Sequence, residues 1–163
     1  KMLAERAGIE VENRPRNPAS ARIEEEKQKL YDALRWATDV YHKCLCEAPA
    51  AEPARRYLDD RGISESSIDR FALGFAPEDW NWLHKQPGAD RFHERLLERV
   101  GLVARRDTGS RPYGRFTGRG VFPSRAPQAR TMGFVARVLP GNQHPSKYSN
   151  SPETVLFSKS KLL

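Results

Sequence analysis

One apolar stripe constrains this chain more than any other feature. Ile23, Leu30, Leu34, Ala37, Tyr41 and Cys44 recur at spacings of 7, 4, 3, 4 and 3. That pattern is one face of a helix at about 3.6 residues per turn. It predicts a long helix ending near Glu47, with Ser20 as N-cap and Glu24, Glu25 and Glu26 at the positive end of the dipole. Upstream, Lys1 to Ile9 reads as the last turns of a helix stopped by Gly8. Glu10 to Pro18, with two prolines and two asparagines, reads as a linker. A chain that begins at Lys1 rather than Met reads as an excised piece of a larger protein.

Helical patterning continues to about residue 101. Glu52 to Asp60 forms a second helix stopped by Gly62, and Ser64 caps a third with Ile68 and Phe71 facing inward. Leu73 to Ala76 is a short strand before Pro77. Trp80, Trp82 and Leu83 begin a further helix, read as packing residues although their rings could stack on bases. Phe92, Leu96, Leu97 and Val100 mark the next helix, closed by Gly101. From Leu102 the period alternates. Leu102 to Arg105 and Tyr113 to Thr117 read as a hairpin around Asp107-Thr108-Gly109. Over 115–122 the odd positions carry Arg115, Thr117 and Arg119 opposite Phe116 and Phe122. In an extended strand the two arginines stand roughly 13 Å apart, enough to reach separate phosphates. Over 131–139, Met132, Phe134 and Val138 face one way and Arg137 the other. The class is therefore α+β: helices, one of them long, then a small, mainly antiparallel sheet.

Charge divides along the same line. The net charge is +7, but residues 1–104 hold 17 basic and 19 acidic side chains while residues 105–163 hold 11 and 2. A localised excess of this kind marks a polyanion-binding face. Because it lies on strands and turns rather than on an amphipathic helix, it argues against a membrane surface. No apolar run exceeds three residues, so no bilayer span and no secretory h-region is expected in these residues. Two cysteines fit a reducing cytosol. His42, Cys44 and Cys46 invite a metal reading, but only His42 and Cys46 share a helix face and a structural zinc needs four ligands. A helix face that happens to hold thiols is the reading retained.

The stretch from His144 to Lys161 carries the most specific chemistry. Lys147 and Lys159 bracket Ser149, Asn150, Ser151 and Pro152, read as a turn-forming core, and Tyr148 sets a flat ring beside the Lys147 ammonium. That pairing suits a phosphate with a base stacked next to it; a solvated polar loop is the plain alternative.

Four stretches together resemble one family: LAERAGI at 3–9, RRYLDDRGISESSIDRFALGFAPEDW at 55–80, YGRFTGRGVFP at 113–123, and GFVARVL with KYSNSPETVLFSK between 133 and 159. The chain resembles the bacterial replicative primases of the DnaG type, in the part between their zinc-binding module and their TOPRIM fold. The resemblance implies the N-terminal lobe of an RNA polymerase domain. On that division residues 1–18 are helix end and linker and 19–163 the lobe, helical over about 19–101 and basic over about 102–163. Such a lobe holds single-stranded DNA template and the RNA–DNA hybrid against the active site. By motif, Arg61, Arg115, Arg137, Lys147 and Lys159 fall on the family's basic contact positions, with Tyr148 and Asn150 beside them. Where members commonly have arginine after Arg-Phe, this chain has Thr117, which leaves open whether Arg119 replaces the missing cation.

The resemblance further implies NTPs as substrates, a replicative helicase met through a C-terminal domain, and a cytoplasmic place at the replication fork. It implies Mg²⁺ or Mn²⁺ on acidic motifs after Leu163 and Zn²⁺ on a module before Lys1, with no catalytic residue and no metal ligand in this chain. After Leu139 the chain's acidic residue is Glu153, whereas nucleotidyl transfer needs clustered carboxylates. From the residues alone, a non-catalytic single-strand-binding module remains the alternative from another class, and a solubilising or protein-docking surface a third.

Overall fold

The computed structural model describes residues 17–126, 130–140, 146–152, 154 and 156. The predicted helix end at 1–9, most of the linker, and Lys159 lie outside them. The long helix α1 runs Pro18–Glu47. Its cap is Asn17, whose side chain accepts from the Ala19 N–H at 3.2 Å, and not Ser20 as the sequence suggested. Pro18 explains the shift: its fixed φ suits the first helical position, where its missing N–H costs nothing. The stripe is buried from Leu30 onward through Leu34, Ala37 and Tyr41, but Ile23 lies beyond the packed layer and is 54% exposed.

Among the described residues three further α-helices follow: α2 (Glu52–Asp60), α3 (Glu65–Phe71) and α4 (Glu94–Arg99). Ser64 caps α3 as predicted, accepting from the Ser67 N–H at 3.2 Å. Phe71 departs from expectation. α3 ends in a left-handed Ala72, φ 50°, and the Phe71 ring turns outward under the Arg70 guanidinium. No α-helix forms at Trp80. Asp79 instead accepts from the Asn81 N–H and pairs with Lys85, so the segment closes as turns and a single 3₁₀ turn over Leu83–Lys85 between two prolines.

The strands are β1 (Gly74–Ala76), β2 (Val103–Ala104), β3 (Tyr113–Gly114), β4 (Arg119–Arg125), β5 (Thr131–Val138) and β6 (Tyr148–Asn150). Their sheet has the order β1-β4-β5-β6, all pairs antiparallel, and β2 with β3 forms the predicted hairpin separately. Residues 115–118 are not strand. They form a tight turn in which the buried Thr117 hydroxyl donates to Gly114 O at 2.8 Å and Gly118 takes φ 72°. The proposed single strand face for Arg115 and Arg119 is thereby broken: one sits in the turn, the other opens β4.

Tyr41 organises the core. Its ring stacks on Trp82 at 5.7 Å and meets Phe116 and Phe134 edge-on at 6.3 and 5.7 Å. Such pairs contribute about 0.5–1.5 kcal/mol each beyond the area they bury, and complete burial drives the phenol's pKa upward. The glycine of β1 allows this packing. A Cβ on Gly74 would stand 2.6 Å from Tyr41 Cβ, so the strand lies directly on α1. A second core, on the opposite sheet face, gathers Leu45, Ala54, Leu58, Leu73, Phe75 and Leu139 beneath α2.

Candidate nucleic-acid interface

The antiparallel register builds this face. Arg137 pairs with Gly120 on one side and Tyr148 on the other, while Val135 pairs with Phe122 and Asn150. Residues directly opposite one another share a sheet face, so Arg137, Tyr148 and Asn150 point the same way. The stretch read as a polar loop is thus an edge strand. β5 offers unpaired backbone groups, and Tyr148–Asn150 take them. Ser151 extends the pairing: its N–H donates to Phe134 O at 2.9 Å and its hydroxyl accepts from the Phe134 N–H at 2.8 Å. Beyond it, Pro152 packs on the backbone of Gly101, φ 79°, where a Cβ would overlap the proline ring.

Above this face stands α2. The Arg137 guanidinium lies 5.8 Å from the ring centroids of both Tyr57 and Tyr148, and Arg61, which caps the C-terminus of α2, lies 5.1 Å from the same Tyr57 ring. Two guanidiniums and two phenol rings therefore form one alternating series. The Arg137 stem covers the second core, lining a small apolar pocket with Tyr57, Leu58 and Phe122. Tyr148 is 53% exposed, and Lys147 and Asn150 are exposed beside it. Of the residues singled out from sequence, Arg61, Arg137, Tyr148 and Asn150 assemble here; Lys147, exposed and next to Tyr148 in the chain, stands opposite Val138, whose N–H donates to its carbonyl at 2.8 Å.

Arg115 and Arg119 do not. Arg119 is buried, its guanidinium donating to Thr117 O and Ser146 O at 3.2 Å each, and burial lowers its pKa. It ties the turn before β4 to the residues leading into β6. Arg115 is half-buried, its Nε has no partner among the described residues, and burial pushes its pKa down too. Sequence reasoning missed Tyr57. The signal was present, since Tyr57 and Arg61 are four apart and share a helix face. A second cation–aromatic group lies at the hairpin, where Arg106 stands 5.8 Å from both the half-exposed Trp80 and Tyr113.

Residues 40–163 match the family model of the DNA primase catalytic core, N-terminal domain. The chain belongs to that family. It is 43% identical over 138 residues to the DNA primase of Salmonella typhimurium, covering 85% of this chain and 23% of that protein. It spans about a quarter of the length of the curated relatives it matches. The RNA polymerase domain of Mycobacterium tuberculosis primase DnaG, in complex with a double-stranded DNA oligomer with a 6-nucleotide overhang, superposes with TM-score 0.73 at 34% identity, over 82% of this chain and 41% of that one. A DnaG primase catalytic domain bound to ssDNA gives TM-score 0.70 at 38% identity, over 82% and 40%. The α+β class read from the sequence is the one these primase cores share. Among the described residues no helix is long and apolar enough to cross a membrane.

Proposed function

We propose that this chain is the template-binding lobe of a DNA primase, an enzyme that synthesises short RNA primers on single-stranded DNA for replication. The observation that carries the reading is the series Arg61, Tyr57, Arg137, Tyr148, with the exposed Lys147 next to Tyr148 in the chain. Guanidiniums and ammoniums meet phosphates, phenol rings stack on bases, and neither reads sequence. Two relatives of the same architecture are known in complex with DNA. Template and RNA–DNA hybrid would lie along the β5–β6 face, where Asn150 ends β6; Lys159 lies outside the described residues. Arg119 acts from within, holding the Ser146 end of β6, and does not stand in for the cation that Thr117 lacks.

The side chains named for this face are guanidiniums, an ammonium, phenols and an amide, none of them an anionic ligand for a dication. The face does not fit Mg²⁺ or Mn²⁺, and the catalytic ions, the Zn²⁺ module, the NTP triphosphate site and the helicase contact belong to other parts of the parent protein. The parent acts in the cytoplasm, as a soluble enzyme at the replication fork. The test is affinity for a labelled single-stranded oligonucleotide across salt concentrations. With four or five cations each meeting a phosphate, log K against log salt should fall with a slope of about −3. A slope near zero refutes the reading.

A further inference from the structure

A metal reading of His42, Cys44 and Cys46 fails on α1 alone. The tertiary structure supplies what the helix lacks, because Asp69 arrives from α3. His42 Nε2 lies 3.7 Å from Cys46 Sγ and 3.3 Å from Asp69 Oδ1. The three donor atoms all fall within 4.8 Å of one another. With Zn–N of about 2.0–2.1 Å and Zn–S of about 2.3 Å, tetrahedral ligands stand about 3.6 Å (N to S) and about 3.4 Å (N to O) apart. Both observed separations match.

The imidazole is also oriented for a ligand's role. Its Nδ1 lies 2.8 Å from Leu73 O, and a carbonyl cannot donate, so Nδ1 carries the proton. In the neutral ring the lone pair of Nε2 then faces a carboxylate and a sulfur. Three groups able to offer an electron pair converge here. A proton, on Nε2 toward Asp69 or on Sγ toward Nε2, answers one contact at a time; a divalent cation answers both. A backbone carbonyl on the far ring nitrogen is the usual arrangement that fixes a metal-binding histidine.

We propose that His42, Cys46 and Asp69 form a three-ligand site for zinc or a zinc-like divalent cation, clamping the last turns of α1 to α3. The clamp spans the edge of the second core, to which Ile68 and Leu73 contribute. None of its three ligands belongs to the nucleic-acid face.

Cobalt(II), titrated anaerobically into the reduced 163-residue chain, is the probe. One equivalent should produce thiolate-to-cobalt charge-transfer absorption and should be displaced by zinc. The band should vanish in Cys46→Ser and His42→Gln and persist in Cys44→Ser. Asp69→Asn should weaken binding on the order of tenfold or more, as even indirect partners of metal ligands do. Zinc should raise the melting temperature of the parent chain and not of Cys46→Ser. Cys46 is exposed, so its replacement tests the site without threatening the fold; circular dichroism checks His42→Gln. The proposal is overturned by absence of the band at stoichiometric cobalt, by its survival in Cys46→Ser, by its loss in Cys44→Ser, or by indifference to Asp69→Asn.

Discussion

Replacing Arg137 gives the sharpest test of the interface. Its guanidinium rests on two rings, Tyr57 and Tyr148, each 5.8 Å away, and each contact contributes about 0.5–1 kcal/mol at an exposed site. The rings hold the cation in place before DNA arrives. The ordering cost of such a side chain, about 0.5–1.5 kcal/mol, is then largely met in the free protein. Arg137→Ala should therefore cost about 1 kcal/mol or more in single-strand affinity, roughly fivefold, and make the salt slope about 0.7 less negative, the loss of one phosphate contact. Arg137→Lys should keep the slope and still lose affinity, because an ammonium lacks the planar stack. Arg130→Ala is the control. Its sequence context, after a Pro-Gln-Ala turn, reads as a free and hydrated side chain. The structure instead places it over the Tyr31 ring of α1, 5.0 Å from the centroid. Arg130 and Arg137 are thus both stacked on tyrosine, and the comparison tests position rather than mobility. The assay is fluorescence anisotropy of a short labelled oligonucleotide at several salt concentrations, with thermal melts as folding control. If Arg130→Ala costs as much as Arg137→Ala, binding is a diffuse charge effect and the β5–β6 face is not the site.

The remaining predictions concern the scaffold and the limits of the chain. Tyr57→Ala, though it removes no charge, should weaken single-strand binding in the same anisotropy assay, because Arg61 and Arg137 both lose a support; unchanged affinity counts against the aromatic series. Gly101→Ala should cost about 1–3 kcal/mol by chemical denaturation, since it forces a left-handed φ of 79° on a residue with a Cβ and drives that atom into Pro152. The Cys44 thiol, buried, is raised from 9.0 to about 11, so the unfolded chain ionises first: stability should be intact below pH 9 and fall between 9 and 11. Cys44→Ala should flatten that fall in a pH series of melts. Finally, the 163-residue chain with template, NTPs and Mg²⁺ or Mn²⁺ should yield no RNA on a sequencing gel; any primer would place the catalytic carboxylates inside it.

Much of this architecture is written in local pattern. The stripe from Leu30 to Cys44 has a helical period, Ser64 opens α3, and the alternation after Leu102 is a strand signal; each depends on neighbours a few residues apart. Where two local signals compete, local pattern alone does not decide between them. Asn17-Pro18 prevailed over Ser20 as the start of α1, and the Thr117 hydroxyl with Gly118 turned an apparent strand over 115–118 into a tight turn. Arg137, Lys147 and Tyr148 stand out in the sequence as cations and a ring. That Arg137 and Tyr148 are neighbours is decided by the register of β5 with β6, across a separation no periodicity spans. Tyr57 joins them from α2 and Asp69 joins His42 and Cys46 from α3, each through packing of one element on another. Helix and strand periods are short-range properties of the chain. Which cation meets which ring is a long-range one, decided only when the two cores close on either side of the sheet.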